Sequence, residues 1–239
     1  PSMSDEELFQ KGYNRVYDTL EMESNLNYVE HVVSQTLKKL DRDQPLSSEL
    51  LTRELGKTLT EEYVGDGILK SAYLKKVPVF IPAFTDSEVG LDVGTWAMAH
   101  EVDRARSQAG GKGDLAVFKA IHQSYPSFNP YLDLNSYADH VLSAKRLGIF
   151  TIGGGVPRNW AQQVGPYLEI CNLRLGLSVK PPRFHYGVRI CPEPDYWGGL
   201  SGCTYQEGLS WGKFVTPKDG GRFSEVLSDA TVVWPLLMM

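Results

Sequence analysis

Lys213 stands between Trp211-Gly212 and Phe214. A lysine among apolar neighbours is open to desolvation, which disfavours the ammonium and frees the amine to attack a carbonyl or imine carbon. The alternative is a surface lysine whose stem lies along apolar neighbours while its head stays in water. Glu207 lies six residues earlier and could bind a cationic substrate or hand on protons, although most glutamates are simply solvated. Trp211 offers a π-face to an ammonium group, or else packs in a core. Asp229 precedes an apolar run and reads first as a helix N-cap. Asp86 follows an apolar run, where functional carboxylates of α/β proteins are common and turn-forming aspartates equally so. Gly153-Gly-Gly155 follows Ile149-Phe-Thr-Ile152 and precedes Pro157. Glycines between a strand and a helix N-terminus let a ligand approach the backbone, or serve only a tight turn.

Several signatures fail. His100-Glu101 lacks the second histidine of a helical zinc site, and Gly199-Leu-Ser-Gly202 lacks the last glycine of a nucleophile elbow. Arg158 stands where a dinucleotide fingerprint places its third glycine. Cys171, Cys191 and Cys203 are odd in number and show no CxxC spacing, which argues against a disulfide framework and a zinc site. No metal is expected. Twenty-four Lys and Arg against 29 Asp and Glu give a net charge of -5 and no basic stripe, a poor match to nucleic acid or an anionic membrane. The field slightly favours a cationic ligand. The expected setting is reducing and cytoplasmic, with no membrane span. Pro1 is not an initiator, and the chain ends inside an apolar segment, so a fragment of a longer protein is expected.

The elements that must position these residues follow from periodicity. Ser4 and Glu7 fit a capping box, and Phe9, Tyr13, Val16, Tyr17 and Leu20 predict a helix over Asp5 to Leu20. A second helix holds Leu26 to Leu40, and a third starts at Ser47 or Ser48 and stops at Gly56. Thr58 to Lys75 predicts helix broken at Gly65 and Gly67. Val77 to Phe84 predicts a strand buried on both faces, and Ser107 to Asp114 a flexible loop. Further on, the sequence predicts a helix through Tyr137 and Leu142 closed by Gly148, strands at Ile149 to Ile152, Phe184 to Cys191 and near Val226, and helices from Pro157 and near Asp229. The expectation is an α/β fold: a Rossmann-like parallel sheet flanked by helices, with an N-terminal helical portion, in one domain over 1–239.

Four blocks together resemble the deoxyhypusine synthase family: Ile81-Pro-Ala-Phe-Thr-Asp86, Gly153-Gly-Gly-Val156, Glu207-Gly-Leu-Ser-Trp-Gly-Lys213 and Ser228-Asp-Ala-Thr-Val-Val-Trp-Pro-Leu-Leu237. The resemblance implies an NAD-dependent transferase. NAD takes a hydride from the carbon beside the secondary amine of spermidine, diaminopropane leaves, and the lysine matching Lys213 holds the butyl fragment as an imine. An acceptor amine then displaces it, and the NADH formed earlier reduces the product. The resemblance also implies nucleotide contacts at Thr85, Asp86, Gly153, Gly154, Gly155, Ser201, Asp229 and Ala230. Polyamine contacts are implied at Glu207, Trp211, Asn159, Gln163, Asp92, Gly199 and Leu200. The implied assembly is a homo-oligomer, a dimer of dimers.

The chain also departs from the family pattern. Asn159 stands at the place of a histidine in the protein-modifying members, and Gln163 at that of an asparagine. Their Gly-Ser-Asp-Ser segment is here Gly198-Gly-Leu-Ser201, so Leu200 replaces an amine-binding acid. A later aspartate is here Leu91, with Asp92 one place on. The family's N-terminal segment and the end of its last helix are not in this sequence. The pattern looks like the bacterial deoxyhypusine synthase-like branch, with a small diamine such as putrescine as the favoured acceptor. The rival expectations are a strict protein-modifying synthase, a non-catalytic subunit of an active paralogue, and a plain nicotinamide oxidoreductase.

Overall fold

The computed structural model describes residues 3–16, 18–41, 44–121 and 127–239. They form two compact units, Pro1–Asn129 and Pro130–Met239. No described helix is long and apolar enough to cross a membrane.

In the first unit, α1 (Asp5–Gln10) opens on the capping box, with the Glu7 amide donating to Ser4 Oγ at 3.2 Å and the Ser4 amide to Glu7 Oε2 at 2.9 Å. The helix does not run on to Leu20. Gly12 turns left-handed at φ 70°, and the chain forms an antiparallel hairpin of β1 (Tyr13–Val16) and β2 (Thr19–Met22). Helical apolar spacing here spans three short elements, and the left-handed glycine with β-branched Val16 and Thr19 decides against helix. Tyr17 lies outside the described residues. Helix α2 (Glu23–Leu37) buries Val32, Val33 and Leu37 and ends short of Leu40.

Helix α3 (Ser48–Glu62) passes through Gly56, where a stop is expected from sequence. A Cβ at Gly56 would come within 2.5 Å of Leu69 O, so this glycine permits close packing against α4 (Ile68–Lys75). The break at Gly65 and Gly67 is as expected. The run Val77 to Phe84 belongs to no described sheet: residues 77–81 take no regular structure, Pro82 and Ala83 turn, and Phe84 opens a 3-10 turn. Its backbone is satisfied by α3 side chains instead: Thr52 Oγ1 donates to Val79 O at 2.8 Å, and the Ile81 amide to Ser48 Oγ at 2.8 Å. Helices α5 (Glu88–Ala99), α6 (Val102–Ala109) and α7 (Asp114–Ile121) follow. The expected loop over Ser107 to Asp114 shrinks to Gly110–Gly113, because α6 continues to Ala109 and α7 begins at Asp114. The core gathers Val33, Leu37, Leu51, Leu55, Phe84 and Val93, with Phe84 stacked on Phe128 at 4.0 Å.

In the second unit, α8 (Pro130–Ser143) ends before Gly148, which lies inside β3 (Leu147–Ile152). Then come α9 (Val156–Gln162), with Pro157 in its first turn, α10 (Val164–Leu175) and β4 (Phe184–Cys191). The short α11 (Gly199–Gly202), α12 (Tyr205–Ser210), β5 (Arg222–Leu227) and α13 (Ala230–Leu237) complete it. The sheet order is β3-β4-β5, all parallel, in register Ile149 with Gly187 and Gly187 with Phe223. Helices fill both crossovers, as parallel pairing requires. The core is aromatic: Tyr205 lies 5.0 Å from both Phe214 and Phe223, ring centre to ring centre. Gly187 makes room for it, since a Cβ there would sit 2.7 Å from the Tyr205 ring.

Candidate active site

The lysine is delivered by the end of α12. Thr204 caps that helix, its hydroxyl accepting from the Glu207 amide at 3.1 Å. Gly212 ends the segment at φ 69°, a left-handed turn that a side chain would strain, and the chain swings onto the start of β4. There the Phe184 amide donates to Lys213 O at 3.0 Å and the Val215 amide to Phe184 O at 2.9 Å. The Lys213 backbone is thereby fixed, and its side chain is only 6% exposed. Its amine donates to Asn159 Oδ1 at 2.9 Å. Burial holds the amine below the usual lysine range; Cys203 opposes this, Arg158 adds to it and Glu207 opposes, in falling order. The snorkelling alternative is excluded for this lysine.

The glycine turn positions the other wall. Gly153 and Gly155 take φ of 79° and 80°, and the Gly153 amide donates to Ile190 O at 2.8 Å. A Cβ at Gly154 would meet Ser201 Cα at 2.6 Å, so the absent side chain lets α11 close on the turn. This brings Gly153, Gly154, Gly155 and Ser201 together. Gly199 shares the α11 segment, where Leu200 is 46% exposed.

Two arginines hold that segment down. Arg158 Nη1 donates to Leu200 O at 3.3 Å and Arg189 Nη1 to Ser201 O at 2.6 Å. Arg189 also pairs with Glu225 at 2.9 Å, whose other oxygen accepts from the Tyr205 amide at 2.7 Å. Sequence reasoning missed both arginines as site residues and also Gln162, which is buried while Gln163 is exposed. A usable signal exists for Arg189, a lone cation inside the otherwise uncharged strand Phe184–Cys191.

The remaining candidates are more open. Glu207 is exposed and lies beside Cys203, whose thiol is pushed up by burial first and by Glu207 second. Trp211 is 61% exposed. Asp229 caps α13, accepting from the Thr231 amide at 2.8 Å and its hydroxyl at 2.6 Å, which lowers its carboxyl range. Ala230 begins that helix.

The first unit holds the other three residues. Thr85 and Asp86 are exposed on a single 3-10 turn, Phe84–Asp86. Thr85 and Leu91 line a cavity of about 440 Å³ with Gly90, Gly94 and Met98. Asp92 instead points away from solvent: it is 7% exposed, and its Oδ2 has no partner among the described residues. Burial, then Glu88 and Glu30, push its carboxyl up to about 6.

The second unit is thus a parallel α/β unit in which a buried lysine is hydrogen-bonded to the helix that follows the glycine turn. The deoxyhypusine synthase family model matches residues 1–110 and 108–239, and the chain belongs to that family. "Probable deoxyhypusine synthase 2" of Methanosarcina acetivorans is 29% identical over 98% of this chain and 59% of its own. The "Deoxyhypusine synthase-like protein" of Elusimicrobium minutum is 30% identical over 94% of this chain and 52% of its own. The chain thus spans a little over half the length of these relatives. A crystal structure of a "putative deoxyhypusine synthase" from Entamoeba histolytica shares the fold at TM-score 0.50 and 14% identity, over 90% of this chain and 54% of its own.

Proposed function

We propose that the protein of which this chain is part transfers the aminobutyl group of spermidine, or a related polyamine, to an acceptor amine through an imine on Lys213. The observation that carries this reading is the buried Lys213 amine, disfavoured as an ammonium and hydrogen-bonded to a neutral amide at 2.9 Å. Such an amine gives up its proton more readily than a solvated lysine.

NAD fits the turn: at Gly153 and Gly199 a Cβ would meet nothing within 4 Å, so the backbone is open to a large ligand there. Gly153, Gly154, Gly155, Ser201, Asp229 and Ala230 of the second unit would hold it; for Thr85 and Asp86 a nucleotide contact rests on the family resemblance alone. Bound, NAD supplies a hydride acceptor and returns the hydride later. The protein's own residues do the rest. Glu207 and Trp211 bind the cationic chain, a carboxylate for an ammonium and a ring face for the methylenes and charge. Asn159 orients the Lys213 amine through Oδ1 without lending it an anionic partner. Gln163, Gly199 and Leu200 are further proposed polyamine contacts; for Asp92 that role rests on the family resemblance alone.

The acceptor follows from Leu200 and Asn159. An apolar side chain and a neutral amide replace an acid and a histidine, which changes which amines the site can hold, because an unpaired ammonium is costly to desolvate. We favour putrescine over a protein lysine. The assembly is a homo-oligomer in the cytoplasm; the exposed apolar residues Val232, Leu236, Leu237 and Met238 on and beside α13 support subunit contact.

The test offers labelled spermidine and NAD to the full-length protein with putrescine and a hypusine-type translation factor together. Label in homospermidine supports the reading. Label mainly on the translation factor overturns the acceptor assignment, and no release of diaminopropane overturns the transfer itself.

A further inference from the structure

A cavity of about 610 Å³ opens in the second unit where β3 and β4 begin. The glycine turn follows the last residue of β3, so the whole strand lies between the two, and none of the nucleotide or polyamine contacts proposed above lines this cavity. Lys145 and Arg146 line it from the connection between α8 and β3, and Lys180 and Arg183 from the connection between α10 and β4. His185 of β4 lines it as well. Four cations thus meet around one hollow of a chain whose net charge is -5. Glu169 is the single carboxylate among the lining residues, and it stands 3.7 Å from Arg183.

These cations are not spent on the protein. Among the described residues, Lys145 and Lys180 have neither a hydrogen bond nor an ion pair. Arg146 Nη1 donates to the Tyr186 hydroxyl at 3.1 Å, a bond that brings no counter-charge. The last carbonyls of α8, which ends at Ser143, offer about half an elementary charge, too little for four cations.

The walls are fixed. Asn172 on α10 clamps the following connection twice: its Nδ2 donates to Val179 O at 2.6 Å, and its Oδ1 accepts from the Val179 amide at 2.9 Å. Pro181 and Pro182 lock the φ angles between Lys180 and Arg183. Pro182 is seated against α10, since a Cβ at Gly165 would come within 2.7 Å of its carbonyl oxygen. Val141, Leu142, Val179 and Val215 give the cavity an apolar side.

We propose that this cavity is a second binding site, for an organic phosphate: a small molecule with two or more negative charges and an apolar body. Arginine forks and lysine point charges both suit phosphate oxygens. The apolar side suits a ring or chain rather than a bare ion, and the volume falls within the roughly 300–1,000 Å³ of small-molecule sites. The alternative, a solvated basic surface, needs no hollow, no clamped wall and no meeting of two separate connections. The proposal stands apart from the chemistry at Lys213.

The probe is ATP without divalent metal, offered to the full-length protein with NAD in excess to occupy the glycine turn; equilibrium dialysis reads the bound ATP. The expected result is saturable binding of a single ATP per chain. Lys145→Gln with Lys180→Gln should weaken it about tenfold or more. Lys145→Arg with Lys180→Arg, which keeps the charge, should stay within about twofold of the wild type. A control pair on other surfaces, Lys75→Gln with Lys218→Gln, should leave binding unchanged. Inorganic tripolyphosphate should bind more weakly than ATP, having no body for the apolar side. Absence of saturable ATP binding overturns the proposal, as does an equal loss in the control pair, the mark of diffuse attraction to positive charge. Tripolyphosphate binding as tight as that of ATP overturns the assignment of an organic ligand.

Discussion

The Lys213 amine donates to Asn159 Oδ1 at 2.9 Å, joining the end of α12 to the first turns of α9. The bond crosses 54 residues of sequence and places a neutral acceptor, not a carboxylate, on a buried amine. An anion there would hold the amine as ammonium. The amide orients it and leaves burial as the main influence on its charge.

Replacing that amide tests its neutrality. Asn159→Asp keeps the shape and adds an anion within hydrogen-bond reach, which favours the charged lysine. Adduct formation near neutral pH should fall at least tenfold and recover as pH rises past the new lysine range. The check is the pH profile of borohydride-trapped adduct, where an unchanged profile contradicts the role given to Asn159. Asn159→Ala should cost about 1 kcal/mol through the lost bond, without moving the profile toward alkali.

Glu207 is exposed, so its contribution to polyamine binding is modest. Glu207→Gln should weaken spermidine binding by about 1 kcal/mol, the scale of an open ion pair, and leave NAD binding unchanged. Titration calorimetry separates the two ligands. Equal weakening of both points to a structural role at the start of α12.

Asp92 predicts a pH dependence of stability in the first unit. Its carboxyl is raised in the folded state to about 6 against an ordinary value of 3.8, so the folded chain binds the proton more tightly than the unfolded chain. Stability from this group is therefore present at low pH and is lost as pH rises from about 4 to about 6. Asp92→Asn, which cannot ionise, should stabilise the protein at pH 7 by roughly 1–2 kcal/mol and by little at pH 4. Urea denaturation at both pH values measures it. A destabilised variant at pH 7 means that the ionised carboxylate has a partner in the assembled protein, which is what a polyamine contact at Asp92 requires.

Residue types disclosed much of the second unit. Val188, Ile190 and Cys191 mark β4 as apolar enough for a middle strand, Pro157 marks the first turn of α9, and Asp229 caps α13 as its type suggests. The first unit was less legible. A 3.6-residue apolar period spread over Phe9 to Leu20 does not distinguish one helix from a helix and a hairpin, and Gly12 decides it only through its left-handed backbone. Val77 to Phe84 has strand composition, yet its hydrogen bonds go to Ser48 and Thr52, partners some thirty residues away that composition cannot name. The chemistry of the site was partly hidden for a similar reason. Lys213 was visible by its neighbours, whereas Arg158 read only as a misfit in a glycine fingerprint. Its burial follows from Tyr205 and Leu200 closing over it, a long-range packing result.

The central claim is that Lys213 carries the butyl fragment. Full-length protein incubated with spermidine and NAD, reduced with borohydride and digested, should yield one peptide containing Lys213 with the mass of an added aminobutyl group. Lys213→Arg, which keeps a charge but cannot form an imine, should give no adduct while binding NAD within a few-fold of the wild type. An adduct on any other residue, or an Arg variant that still transfers at near wild-type rate, contradicts the account.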